Sequence, residues 1–185
     1  MATRTLYQVK VALLGVSPPL WRRLLVSSKM KLGTFHAVLQ GAFGWQGHHL
    51  HEFEADDEIW GSRATEPNEA FSDENKIMIG RVLREVGESL LYTYDFGDDW
   101  RHKVTLERVI PDGWVVFPDA SCLTGRRGCP PDDCGGPGGY AELLSVLRDK
   151  SHEEYAERWE WVGQEFDSER FDLVAINETL KTIKA

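Results

Sequence analysis

The sequence predicts a single α+β domain in which a mixed or antiparallel sheet is followed by C-terminal helices. Apolar residues alternate with polar ones along several short stretches, as they do in half-buried strands. In other stretches they recur at the three- and four-residue spacing of amphipathic helices. The chain has 185 residues, which is a usual length for one domain, so we expect one domain over residues 1–185.

The N-terminal part is typical of a β-hairpin followed by a helix. Alternation runs from Tyr7 to Leu14, and the Gly- and Pro-containing residues 15–19 form the predicted turn into a second strand over 20–28. Thr34 is the predicted cap of a helix that ends at Gly44. A hairpin followed by a helix is similar to the opening of a β-grasp fold.

The middle of the chain predicts further strands and one short helix. These elements are a strand over 49–54, an acidic loop over 56–75 with a short edge strand at 59–61, a short helix after Gly80, strands over 90–94 and 103–110 joined by a hairpin turn, and a strand over 114–117.

Residues 118–139 are rich in Gly and Pro and contain all three cysteines, so the sequence predicts an irregular loop there. Helical spacing returns in the C-terminal part, residues 140–185. Helices are predicted over 140–150 and 153–162, and a last one is predicted to be capped by Asp167 and Ser168.

Composition limits the classes of partner and the compartment. The net charge of -9 disfavours nonspecific nucleic-acid binding, although it leaves room for a local basic patch. Three cysteines are a poor disulfide framework and suit a reducing compartment, so the predicted location is the cytoplasm. No apolar run approaches the ~18 residues of a membrane span, which leaves a protein or a small molecule as the expected partner.

The Cys-rich segment predicts a structural zinc site. Cys122, Cys129 and Cys134 lie in a Gly- and Pro-rich stretch, the kind of backbone that lets thiolates converge on one ion. His102 would supply a fourth ligand, or one of the histidines in residues 48–51 would, because His49 and His51 would share one face of the predicted strand. No C-x-x-C pair is present, and three reduced thiols in an ordered loop are the alternative.

An acidic segment is a second candidate site. Asp95, Asp98 and Asp99 could bind Mg²⁺ or Mn²⁺ through oxygen, with His102 or His51 moving protons. The alternative is a tight hairpin turn in which Asp95 bonds the backbone and Gly97 takes the positive φ.

We therefore predict that separate stretches bring imidazole, carboxylate and thiol groups into one cleft. The predicted binding groove comprises Trp45, Trp100, Tyr140 and Arg22. The favoured function is a binding or accessory module with a structural zinc, and a metal-dependent hydrolase or nuclease is the alternative. Whether the chain is an enzyme stays open.

Motifs along most of the chain match one known family. They are Pro18–Arg23 (PPLWRR), Phe43–Trp45, His49–Phe53, Tyr94–His102 (YDFGDDWRH), Cys129–Tyr140 and Phe166–Asp172. On these residues the chain resembles the plasmid pRiA4b ORF-3-like family, also labelled the passenger-protein (TnpR) family of an insertion element. Asp132 stands where the family often has Glu, so the carboxylate is kept. The resemblance implies compact bacterial and archaeal cytoplasmic proteins of unestablished activity, with a link to mobile elements.

Overall fold

Seven strands and five helices form the described part of the chain, which comprises residues 5–61, 72–111, 118–163 and 165–183 of a computed structural model. The strands are β1 (Thr5–Leu13), β2 (Leu20–Ser27), β3 (His51–Ala55), β4 (Glu58–Gly61), β5 (Ser89–Tyr94), β6 (Trp100–Pro111) and β7 (Ala120–Arg126). The helices are α1 (Leu32–Phe43), α2 (Ile79–Val82), α3 (Gly136–Arg148), α4 (Tyr155–Val162) and α5 (Leu173–Lys181).

The strands form one sheet in the order β4-β3-β5-β6-β1-β2-β7, and every described pair of strands is antiparallel. Strand β1 lies inside the sheet and pairs with β2 on one side and β6 on the other. The predicted α+β class, antiparallel sheet, opening hairpin–helix and C-terminal helices are confirmed. The β-grasp comparison stays a prediction.

Burial in the core decides where α1 begins. The helix is capped by Lys31 rather than by Thr34, because an earlier start brings Leu32 into the core, where it is fully buried. The end at Gly44 is as predicted, since Gly44 has a φ of 85° and its N–H donates to the carbonyl of Gln40.

The core lies between α1 and one face of the sheet. Val9 and Val11 of β1, Leu24 of β2 and Val104 of β6 are fully buried there with Phe35 of α1. The alternate residues of the same strands point to the opposite face of the sheet.

The prediction that 118–139 is irregular throughout was wrong. Its first part forms β7, because residues 120–126 complete the backbone hydrogen bonds of β2, and α3 already begins at Gly136. The last helix is capped by Asp172, whose Oδ1 accepts from the N–H of Ala175 at 2.9 Å, rather than by Asp167 and Ser168. The predicted strand at 114–117 lies outside the described residues.

Helix α5 covers β7 at one edge of the sheet. The side-chain amide of Asn177 accepts from the N–H of Cys122 at 2.8 Å and donates to the carbonyl of Cys122 at 3.0 Å. Among the described residues, no helix is long and apolar enough to cross a membrane.

Candidate functional site

Three loops meet at one end of the sheet, and we call the space between them the three-loop cleft. They are residues 44–50 between α1 and β3, residues 95–99 between β5 and β6, and residues 127–135 between β7 and α3. The first and second loops are joined by the N–H of Asp95, which donates to the carbonyl of Leu50 at 2.9 Å. The second and third are joined by the N–H of Gly135, which donates to Asp98 Oδ2 at 3.2 Å. The expected convergence of distant stretches therefore occurs.

One imidazole and two carboxylates face each other across the cleft. His49 Nδ1 lies 3.7 Å from Asp95 Oδ2, and His49 Nε2 lies 3.5 Å from Asp133 Oδ1. One ligand atom from each of the three residues lies within 4.8 Å of those of the other two. Within the described residues, this is the one group of three His, Cys, Asp or Glu side chains that meets this limit. Each member comes from a different loop.

Two of the three residues of this group have a left-handed backbone. Asp95 has a φ of 57° and Asp133 a φ of 58°, which Asp tolerates better than most residues. Asp95 Oδ1 accepts from the N–H of Gly97 at 2.9 Å, as expected if residues 95–99 form a tight hairpin turn, so this alternative is confirmed in part. The positive φ falls on Asp95 and Asp99, however, and not on Gly97. Asp95 thus holds the turn with one oxygen and presents the other to His49.

Two polar atoms beside the group are buried without a well-formed hydrogen bond among the described residues. They are Asp132 Oδ1 and the hydroxyl of the fully buried Tyr94, which the backbone N–H groups of His49 and His48 approach. Burial raises the pKa of Asp132, which the nearby His49 partly offsets and Asp133 reinforces. Burial also raises the pKa of Tyr94, and Asp132 adds to this effect. The Tyr94 ring packs edge-on against the ring of His49, with 5.7 Å between the centroids.

His51 does not join His49, contrary to the expectation that both share a strand face. Strand β3 begins at His51, so His49 lies in the preceding loop. His51 is buried and its Nε2–H donates to Glu74 Oε2 at 2.7 Å, while its ring stacks on His36 at 3.5 Å between centroids. Burial and the neighbouring His51 lower the pKa of His36 to about 3. His36 Nδ1 accepts from the hydroxyl of Tyr92 at 2.8 Å, which fits a neutral ring.

His102 is not next to the acidic turn in space. It lies in the core with 0 % exposure, and its Nδ1–H donates to the carbonyl of Trp100 at 3.0 Å. Burial lowers its pKa to about 3. The predictions that His102 carries protons for a metal site or binds zinc are therefore corrected, because β6 turns its side chain inward. Asp99 is exposed and does not belong to the group of three, while Asp98 contacts the third loop.

The three cysteines do not assemble a zinc site at ligand distance. Within the described residues, no cysteine belongs to a group of three ligand atoms within 4.8 Å of one another. Cys122 lies on β7, where burial raises its pKa to about 11. Burial also raises the pKa of Cys129, and burial with the adjacent Asp98 raises that of Cys134 to about 12. Thiols held neutral in this way are poor nucleophiles.

The predicted groove residues are mostly in the core, and this part of the prediction is corrected. Trp100 has 0 % exposure, Tyr140 3 % and Trp45 7 %. Trp45 stacks on Tyr94 with 5.0 Å between centroids, and its Nε1–H donates to the carbonyl of Pro130 at 3.1 Å. These large apolar rings stabilise the core by being buried, so they are not available to line a groove for a ligand.

Arg22 is a buried cation that ties several segments together. Its guanidinium donates to four carbonyls at 2.8–3.0 Å and packs on two aromatic rings; these are the carbonyls of Trp21, Ala42, Arg126 and Arg127 and the rings of Phe43 and Phe171. Burial lowers the pKa of Arg22. Arg22 also lines a cavity of about 340 Å³ beside α5. Its bonds to the four carbonyls use four of its five N–H groups, so at most one N–H remains for a ligand in this cavity.

A cavity of about 410 Å³ adjoins the three-loop cleft. Asp133 and Cys134 line one side, and Arg158 and Trp161 of α4 line the other. The side chain of Asp133 is 75 % exposed and that of His49 is 29 % exposed, so the group of three opens to solvent near this cavity.

Sequence reasoning did not assign Asp133 or Asp132 as ligands. Their one signal is the pair of adjacent carboxylates between two prolines and Cys134, in a segment where regular structure is broken. His36 and Glu74 were also missed, because each acquires its partner only through the pairing of β3 with its neighbours.

Comparison with known proteins gives concordant matches. The family model described as plasmid pRiA4b ORF-3-like protein matches residues 5–175. The uncharacterized protein y4hQ of Sinorhizobium fredii (strain NBRC 101917 / NGR234) is 35% identical over 180 residues, which cover 96% of this chain and 92% of that protein. The crystal structure of MM3350, a protein of unknown function from Methanosarcina mazei Go1, is 34% identical with a TM-score of 0.83, and the match covers 92% of this chain and 96% of that one.

Proposed function

The chain belongs to the plasmid pRiA4b ORF-3-like protein family, and within it we propose a binding or accessory module whose three-loop cleft holds one divalent cation. The observation that carries the proposal is the group of His49, Asp95 and Asp133, drawn from three loops and held within 4.8 Å. A cation at this point would fix the three loops relative to one another.

The charges in the cleft support a cation. Asp95, Asp132 and Asp133 lie close together, and their mutual repulsion raises the pKa of Asp132 in addition to the effect of burial. A divalent ion would relieve this repulsion, and it would give the unpartnered oxygen of Asp132 a positive neighbour. Burial of such an oxygen without a partner is otherwise costly.

The donor set limits the identity of the ion. One imidazole nitrogen and two carboxylate oxygens suit Zn²⁺ or Mn²⁺ better than Mg²⁺, which prefers oxygen ligands alone. Zinc therefore remains part of the proposal, with the ligands moved from the cysteines to this group. Three protein ligands would leave further positions for water or for a ligand from the adjoining cavity.

The cation site is tested by titrating Zn²⁺ and Mn²⁺ into metal-stripped protein in a calorimeter. We expect one ion per chain, and we expect His49→Ala and Asp95→Asn each to weaken binding by about tenfold or more, since ligands matter at least as much as the groups that orient them. Asn at 95 keeps an oxygen for the N–H of Gly97, so it removes the charge and preserves the turn.

Asp99→Asn is the matched control, because it removes an exposed carboxylate from the same turn without touching the group of three. Its affinity should stay within about twofold of wild type. No binding at millimolar ion, or equal affinity in wild type, His49→Ala and Asp95→Asn, would contradict the proposed site.

A metal-dependent hydrolase is the second candidate, and the exposure of the ligand group favours it. An ion with open positions can activate water, and Asp132 with its raised pKa is a candidate proton carrier in place of His102. We expect Mn²⁺-dependent cleavage of phosphoesters that falls at least about a hundredfold in Asp95→Asn and not in Asp99→Asn. Equal rates in the two variants would remove this candidate and leave the binding module.

The link to mobile elements and the passenger-protein label rest on the family resemblance, and the cytoplasmic location rests on the cysteine content. They are retained as parts of the proposal that do not depend on the cleft.

A further inference from the structure

The face of the sheet opposite the core carries a row of basic and aromatic residues. Lys103 of β6, Ala12 of β1, Trp21 of β2 and Arg126 of β7 are successive cross-strand partners. Partners in antiparallel strands point to the same face, so their side chains form one line across four strands. With neighbouring strands about 4.8 Å apart, this line is about 14 Å long. We call it the basic row.

Two further cations lie against the aromatic ring at the centre of this row. Lys10 Nζ lies 5.5 Å from the centroid of the Trp21 ring, and Arg23 Cζ lies 5.2 Å from it. Lys10 and Arg23 are themselves cross-strand partners, two residues along β1 and β2 from Ala12 and Trp21 and therefore on the same face. The half-exposed ring is thus surrounded by positive charge.

The charge of this half of the face is opposite to that of the whole protein. Arg101, Lys103 and Arg126 are exposed, and no described carboxylate lies within ion-pair distance of them. On the described strands, the acidic side chains of the same face are Glu107, which pairs with Arg23 at 2.6 Å, and Glu52 and Glu54, which lie beyond β5 on β3. The chain as a whole has a net charge of -9. A local positive field in this setting attracts a polyanion to one place rather than to the entire surface.

We propose that the basic row and its neighbouring cations bind single-stranded nucleic acid. Phosphates would contact Lys103, Arg126 and Arg101, and a base would stack on Trp21. Ala12 has a side chain of one carbon, so it leaves a shallow gap about 10 Å wide between Lys103 and Trp21, enough for a flat base. Sheet faces with a central aromatic residue and flanking cations suit unpaired bases, because every base has a π-face.

The shape of the face favours a single strand over the other polyanionic surfaces. Base readout in a duplex needs an element that enters a groove, and the basic row lies along a sheet face. Stable attachment to an anionic membrane usually adds apolar side chains that enter the lipid, and the basic row offers only one half-buried aromatic ring. The net charge of -9 disfavours nucleic-acid binding over the entire surface, whereas binding to the basic row would be confined to this face.

Fluorescence anisotropy of labelled dT and rU oligomers of about 12 nucleotides, at about 50 mM salt, tests the proposal. The two oligomers separate DNA from RNA. The Lys103→Glu/Arg126→Glu variant changes exposed side chains only, and we expect at least about tenfold weaker binding with a salt slope smaller by about 1.4, which corresponds to two lost phosphate contacts. Trp21→Leu should weaken binding by about tenfold with an unchanged salt slope, because stacking releases no counterions.

Lys150→Glu/Lys181→Glu is the control, because it makes the same change in net charge at two exposed positions of the C-terminal helical part. Its affinity should stay within about threefold of wild type. Absence of oligomer binding by wild type at about 10 μM protein, or equal losses in the two double variants, overturns the proposal. Binding to phosphatidylserine vesicles without binding to either oligomer also overturns it, in favour of a membrane surface.

Discussion

Gly139→Ala is expected to destabilise the protein by about 3 kcal/mol, the upper end of the cost of overpacking a well-packed site. Gly139 lies in the first turn of α3, and its N–H donates to the carbonyl of Gly135. A methyl group at this position would overlap the carbonyl oxygen of Cys134, and that oxygen belongs to backbone, which cannot swing away as a side chain can. The third loop of the cleft would have to shift, and Asp133 would shift with it. Urea unfolding followed by circular dichroism measures the loss.

Gly138→Ala is the control for this result, since Gly138 is in the same turn and an added methyl group would meet nothing within 4 Å. Ala is a better helix former than Gly, so this change should leave stability unaltered or raise it by up to about 1 kcal/mol. Equal losses in the two variants would mean that helix propensity, and not the approach to Cys134, decides the effect.

Acidification from pH 6.5 to pH 4.5 is expected to lower the free energy of unfolding by about 2 kcal/mol for each of two histidines, one buried and one half-buried. His102 and His36 have folded pKa values of about 3, below the ordinary 6.5, because burial disfavours their charged forms. Between pH 6.5 and about 3 the unfolded chain therefore binds protons that the folded chain rejects. The stability of the folded chain relative to the unfolded chain is therefore highest above pH 6.5, and part of it is lost as the pH falls from 6.5 toward 3. Urea unfolding at a series of pH values measures it.

His102→Phe isolates one of these contributions. Phe keeps the edge-on packing against Phe43 and Trp45, although it gives up the hydrogen bond to the Trp100 carbonyl. The loss of stability between pH 6.5 and 4.5 should become smaller by about 2 kcal/mol, whatever the stability at pH 7. His152→Phe removes an exposed histidine and should leave the loss as in wild type. An unchanged loss in His102→Phe would contradict a buried neutral imidazole at position 102.

The parts of the fold that depend on local pattern were predictable from the sequence. Alternation identified β1, the turn residues 15–19 marked β2 as its hairpin partner, and Gly44 marked the end of α1 because a left-handed backbone favours glycine. The elements that were predicted wrongly depend on contacts between residues distant in the chain. Strand β7 has a weak pattern of its own and forms by pairing with β2. The start of α1 depends on burying Leu32, which outweighs the capping propensity of Thr34.

The convergence of three loops on one cleft was predictable, but the identity of the side chains that meet there was not. His49 faces the acidic turn because it lies in the loop before β3, whereas His51 is the first residue of β3 and is buried. Asp133 depends on a left-handed backbone that no local pattern specifies for Asp. The aromatic residues were assigned to a groove because abundance of Trp indicates either a core or a binding surface, and here the core takes them.

The contact of Asn177 with Cys122 closes part of the outer edge of β7. An outermost strand offers free donors and acceptors to any other chain that can extend the sheet. The amide of Asn177 supplies one donor and one acceptor to Cys122 from a helix, and so imitates the partner strand without allowing another to follow. Helix α5 therefore blocks the addition of another strand to β7 at Cys122.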